Sequence, residues 1–123
     1  MKVAINRCFG GFGISNEAFE KLLERKGVGF QKVPAKFKFR GDDFDYYKAG
    51  IEPCDDTYIS AYDYYQDRSD PDLIAVIEEI KDQANSWAAE IAIVEIPDYV
   101  KWHIDEYDGM EHVAEDHRTW YGD

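Results

Sequence analysis

The sequence predicts an α+β fold, an antiparallel β-sheet flanked by two α-helices, with a β-hairpin region toward the C-terminus. Three observations carry this expectation. Two segments place apolar residues at helical spacing behind good start signals. Several short segments instead alternate apolar and polar residues, and they outnumber the helices. The last two strand-like segments are separated only by the turn "PDY". With 123 residues, 45% of them hydrophobic, the chain suits a single domain spanning 1–123. No repeat, low-complexity tract or linker divides it.

"KVAIN" places Val3 and Ile5 on one face of a first strand. A glycine-rich turn follows, and then a helix that Ser15 caps. Glu17 favours its positive end, and Ile14 is placed to staple onto Phe19. Phe19, Leu22 and Leu23 form the buried stripe, and Gly27 ends the helix. "KFKFR" alternates strictly, an exposed strand with Phe37 and Phe39 inward. Residues 41–57 are turn-rich and read as loop with room for a hairpin, and "TYISAYDYYQ" reads as a strand from its tyrosines and isoleucine.

The second helix is signalled by Asp70 as cap and Pro71 at the first helical position. Leu73, Ile77, Ile80 and Ala84 recur behind them, with Glu78, Glu79, Lys81 and Asp82 outward. "EIAIVEIP" and "VKWHIDEY" complete the strands as a hairpin-like pair.

Composition narrows the function classes. A net charge of −12 argues against binding a nucleic-acid polymer, because that affinity comes from Lys and Arg neutralising phosphates. It leaves room for a small anionic ligand held by an arginine. Cys8 and Cys54 match no metal spacing, and the start "MKVAINRC" has no apolar signal stretch. No apolar run reaches membrane-spanning length. A cytosolic protein with free thiols and no membrane association is expected.

"NRCFGGFGIS" is the first candidate site. A strand, glycines and a helix start can cradle a phosphate, and Arg7 could add a charged fork. The spacing is neither a Walker loop nor a Rossmann fingerprint. A tight turn with Phe9 and Phe12 in the core therefore stays open beside the ligand reading. "EYDGMEHVAEDHRTW" gathers Tyr107, His112, His117, Arg118 and Trp120, either an arginine and aromatic site or a tail docked by Trp120. A metal would need His112, His117, Glu115 or Asp116, and the five-residue histidine spacing is wrong for one helical face. No spacing pairs a nucleophile with a base, so neither enzyme chemistry nor a cofactor is expected.

The segments "INRCFGGFGIS", "RSDPDLIAVIEEI", "IVEIPD" and "IDEYDGMEHVAEDHRTW" resemble small proteins of tailed bacteriophages. In length and helix placement the chain is similar to the Thoeris anti-defence sponge family. The resemblance implies a phage protein in the cytoplasm of the infected host that sequesters glycocyclic ADP-ribose signals, or cyclic oligonucleotides, without cleaving them. It also implies a homo-oligomer, dimer or hexamer. Family pockets set arginines on phosphates, an aromatic ring on adenine and an asparagine nearby. Those roles would fall here to Arg7 and Arg118, to Trp87 or Trp120, and to Asn6 or Asn85. Phe9, Gly11 and Phe12 would form a ligand wall, with Tyr107 among the C-terminal aromatics. The alternative is an acidic phage inhibitor that occupies the nucleic-acid-binding surface of a host defence complex; its 26 acidic residues motivate it.

Overall fold

A computed structural model describes residues 1–35 and 44–116. The class is mixed α+β, and every strand pairing within the described residues is antiparallel. In chain order the elements are β1 (Lys2–Asn6), α1 (Asn16–Arg25), β2 (Phe30–Pro34), β3 (Phe44–Lys48) and β4 (Tyr58–Ile59). They continue with α2 (Ala61–Tyr65), α3 (Pro71–Ile80), β5 (Ile91–Glu95), β6 (Trp102–Tyr107) and β7 (Met110–Glu115). β1 pairs with β5, β2 with β3 and β3 with β4, and β6 with β7 as a C-terminal hairpin.

The helix signals translate directly into structure. Ser15 Oγ accepts the Ala18 N–H at 3.1 Å and donates to the Gln83 carbonyl at 2.6 Å, which ties the start of α1 to the segment before β5. Ile14 packs on the cluster that contains Phe19, and Gly27 leaves the helix at φ +71°. Asp70 accepts the Asp72 N–H at 3.1 Å with Pro71 at the first helical position of α3.

One core cluster joins Ala4 of β1 to Ala18 and Leu22 of α1 and to Leu73, Ile74, Val76 and Ile77 of α3. A second joins Phe19 and Leu23 to Tyr46 and Ile59, and so seats the β2–β3–β4 sheet on the other side of α1. Each fully buried leucine contributes about 2 kcal/mol of transfer free energy.

Four expectations are corrected. "TYISAYDYYQ" is a strand only over Tyr58–Ile59, and from Ala61 it becomes the short helix α2, so the described residues contain three α-helices rather than two. There the tertiary packing of Tyr64 and Tyr65 against the core clusters overrides tyrosine's strand preference. Residues 44–48, in the stretch read as loop with room for a hairpin, form β3, which pairs with β4 and with β2, the latter having carried no recognised signal. The α-helix stops at Ile80 because Lys81 turns the chain at φ +53°, ψ −122°, and a 3-10 turn then carries it to Ala84. "EIAIVEIP" pairs with β1 rather than with "VKWHIDEY", which pairs instead with β7 around the Asp108–Gly109 turn. "KFKFR" lies outside the described residues. No helix among them is long and apolar enough to cross a membrane.

Candidate functional site

β1 ends at Asn6, whose side chain is fully buried and hydrogen-bonded on both sides of its amide. The nitrogen donates to the Cys8 carbonyl at 2.9 Å and the Gly109 carbonyl at 2.8 Å. The oxygen accepts the Glu90 N–H at 2.8 Å. One side chain thereby pins the glycine turn, the start of β5 and the β6–β7 turn together. Burying an amide demands this kind of satisfaction, since each unmade bond costs about 1–3 kcal/mol.

Beside it, Glu111 holds Arg68 through two hydrogen bonds, at 2.7 and 3.0 Å, with little of either side chain exposed. The guanidinium lies 3.6 Å from the centre of the Phe12 ring, which itself packs on Tyr65. Neither Arg68 nor Glu111 was anticipated from sequence. The one available signal is a carboxylate at an alternating, inward position of a strand.

The glycines answer to close backbone approach. A Cβ on Gly10 would lie 2.0 Å from the Ala88 carbonyl oxygen, and one on Gly109 would lie 1.8 Å from the Gly10 oxygen. Three chain segments therefore meet main chain to main chain. The turn's own groups are partly spent in this contact. Arg7 N–H donates to the Glu90 carbonyl at 2.8 Å and Gly11 N–H to the Ala88 carbonyl at 3.1 Å. Those two N–H groups do not point at a ligand.

Residues 8–11 and 87–89 border a cleft of about 570 Å³. Phe9 and Trp87 line it at 67% and 65% exposure, and Tyr107, 74% exposed, meets the Phe9 ring edge-on at 6.5 Å. Of the two alternatives for this turn, the one that sets Phe9 in the core does not hold, whereas Phe12 does pack against the core. Arg7, next in chain to Cys8, forms an exposed ion pair with Glu90 at 3.2 Å.

The structure brings Phe9, Gly11, Trp87 and Tyr107 together and sets Arg7 beside them. It turns Phe12 toward Arg68, Asn6 into the interior, and Asn85 onto the Ile91 N–H at 2.9 Å. Arg118 and Trp120 lie outside the described residues.

The hairpin carries a further polar group. His103 is hydrogen-bonded to Asp116 through Nδ1 and lies 3.0 Å from Asp105 through Nε2, and His112 stands 3.6 Å from Asp105. The bond to Asp116, with the Asp105 charge, raises the His103 pKa above its ordinary value. No group of His, Cys, Asp or Glu among the described residues is arranged to hold a metal ion. Comparison with known protein families, curated proteins and solved structures finds no match to this chain.

Proposed function

We propose that the protein is a non-catalytic binder of a small nucleotide, with the base against the aromatic rings of the cleft and a phosphate toward Arg7. The observation that supports this reading is a cleft lined by Phe9 and Trp87, with Tyr107 against the Phe9 ring, all three largely exposed. Exposed aromatic faces are costly to leave in water, and stacking a base on one is worth about 1–3 kcal/mol. Arg7 is the cation that can turn to a phosphate. Its pair with Glu90 is exposed, worth at most about 1 kcal/mol, and is exchanged at little cost. Arg68, by contrast, is locked between Glu111 and Phe12.

The reactive side chain bordering the cleft is the Cys8 thiol, which already donates toward Asn6 Oδ1 and the Ala88 carbonyl, each at 3.3 Å. In this reading the ligand is sequestered and released intact. A cyclic ADP-ribose signal in the cytoplasm of a phage-infected cell is the ligand that the resemblance implies. A depletion-and-release assay tests it. Purified protein is mixed with cyclic ADP-ribose isomers and cyclic oligonucleotides, free ligand is measured by liquid chromatography, and the protein is then heat-denatured. Stoichiometric loss followed by return of unaltered ligand supports sequestration. Altered ligand, or no loss at all, contradicts it.

The second reading, an acidic inhibitor of a nucleic-acid-binding host complex, is favoured by the β6–β7 hairpin. Asp105, Glu106, Asp108, Glu115 and Asp116 are all exposed there. Such a complex would weaken steeply with salt.

A further inference from the structure

The β2–β3–β4 sheet packs one side on α1. Tyr46 and Ile59, opposite each other in the register, are buried with Phe19 and Leu23, so the alternate residues of these strands face away from the core. Those outward positions are Gln31, Val33, Asp45, Tyr47 and Tyr58, and Asp45 is the one charge among them. Tyr47 and Tyr58 are register partners, with ring centres 5.7 Å apart and planes at 71°. That edge-on contact sets the two rings as a corner, and Tyr58 remains 49% exposed in it. Asp45 stands on the diagonal from Tyr58, within side-chain reach across the strand pair. Burial, and after it the Asp45 charge, raises the Tyr58 pKa above its ordinary value, which agrees with that proximity.

The polar groups of this face are unequally committed. The Gln31 amide donates to the Lys48 carbonyl at 3.0 Å and to the Ile51 carbonyl at 2.5 Å. Asp45, by contrast, has no ion-pair partner within 4.0 Å among the described residues. Elsewhere in the same fold, a carboxylate and a ring hold an arginine. Glu111 takes both arms of the Arg68 fork, at 2.7 and 3.0 Å, while the guanidinium lies 3.6 Å from the centre of the Phe12 ring. Asp45 and Tyr58 repeat the carboxylate and the ring of that arrangement at the surface.

We propose that this corner is a docking point for an arginine side chain of a basic partner protein. The guanidinium lies on the exposed Tyr58 ring and sets its fork on the Asp45 carboxylate, as Arg68 does between Phe12 and Glu111. Charge complementarity selects this occupant. An excess of 26 acidic over 14 basic residues draws a cationic partner and repels an anionic one. Arginine suits the site better than lysine because its planar fork stacks on a ring and pairs with a carboxylate at once. This sheet is separate from the β1–β5 pair and from the β6–β7 hairpin, so the proposal stands or falls apart from the nucleotide reading.

An NMR titration reads the contact, with an acetylated and amidated Gly–Arg–Gly peptide as the probe and its lysine and citrulline counterparts beside it. The arginine peptide should shift the Tyr47 and Tyr58 ring protons saturably. Citrulline, which keeps the planar shape and loses the charge, should bind about fivefold more weakly or worse, and lysine about threefold more weakly. Asp45→Asn and Tyr58→Leu should each weaken the arginine peptide by about fivefold or more, with unchanged far-UV circular dichroism. Glu115→Gln, which removes the same charge from the hairpin, should change it by less than about twofold. Ring protons that do not shift saturably overturn the proposal, as do citrulline or lysine peptides that bind as tightly as the arginine one. So does an Asp45→Asn variant that binds like wild type, or a Glu115→Gln loss as large as that of Asp45→Asn, the mark of general attraction to an acidic surface.

Discussion

Glu111 Oε1 accepts the main-chain N–H of Asn6 at 2.9 Å, across 105 positions of sequence, while the same carboxylate holds Arg68. This contact fastens the C-terminal hairpin to the first strand at the point where the glycine turn begins. The cleft is therefore bordered by segments that one buried polar network keeps in register.

Removing the carboxylate should be costly. Glu111→Ala leaves Arg68 largely buried and unpaired and takes the acceptor from the Asn6 N–H, so a loss of about 3 kcal/mol is expected. Urea denaturation measures it. The pair replacement Arg68→Met with Glu111→Leu should recover much of that loss, and a single variant as stable as wild type would remove the network from the account.

Two glycines should behave oppositely. Gly109→Ala forces a side chain at φ +86° and against the Gly10 main chain, so about 2 kcal/mol or more should be lost. Gly11→Ala meets nothing within 4 Å and should change stability by less than about 0.5 kcal/mol. Thermal melts of both variants, side by side, decide whether close backbone approach explains the glycines.

Much of this was legible in the sequence, and what was missed has a physical pattern. Ser15, Gly27, Asp70 and Pro71 are local signals, and the elements they bound appear where those signals place them, apart from the early end of α3. β5 pairing with β1 is non-local, and nothing in "EIAIVEIP" distinguishes β1 from β6 as its partner. The "DG" at 108–109 was a readable hairpin signal, since both residues have φ > 0, and it marks the pairing that "PDY" did not. For the site, the aromatics at Phe9, Trp87 and Tyr107 were visible as residues, but only the fold shows that Phe9 and Trp87 line one cleft and that Tyr107 meets the Phe9 ring. Arg68 and Glu111, 43 positions apart, carry no local trace of their pairing.

Ligand affinity should follow the rings and the neighbouring charge. Trp87→Ala should weaken nucleotide binding by about 2 kcal/mol, roughly thirtyfold, with the fold intact because the side chain is 65% exposed. Glu90→Gln removes a carboxylate that competes for Arg7 and should tighten binding of an anionic ligand. Isothermal titration gives both numbers, and a Glu90→Gln variant that binds no more tightly than wild type would contradict the placement of the phosphate.

His103 supplies a pH dependence. Its proton is held more tightly in the folded protein than in the unfolded chain, first by Asp116 and then by Asp105. The resulting stabilisation is complete below about pH 6.5 and is lost as pH rises through the higher folded-state midpoint. An NMR titration of the His103 ring should give a midpoint above that of the unfolded chain, and Asp116→Asn should lower it. A midpoint at the ordinary imidazole value would remove the ion pair from solution.

The most direct measurement is a set of intermolecular NOEs between the base protons of a bound cyclic ADP-ribose isomer and the protein's aromatic side chains. The account predicts cross-peaks from the adenine protons to the rings of Phe9 and Trp87, with Tyr107 beside them. Cross-peaks confined to other residues, or no saturable binding by the wild-type protein, would contradict it.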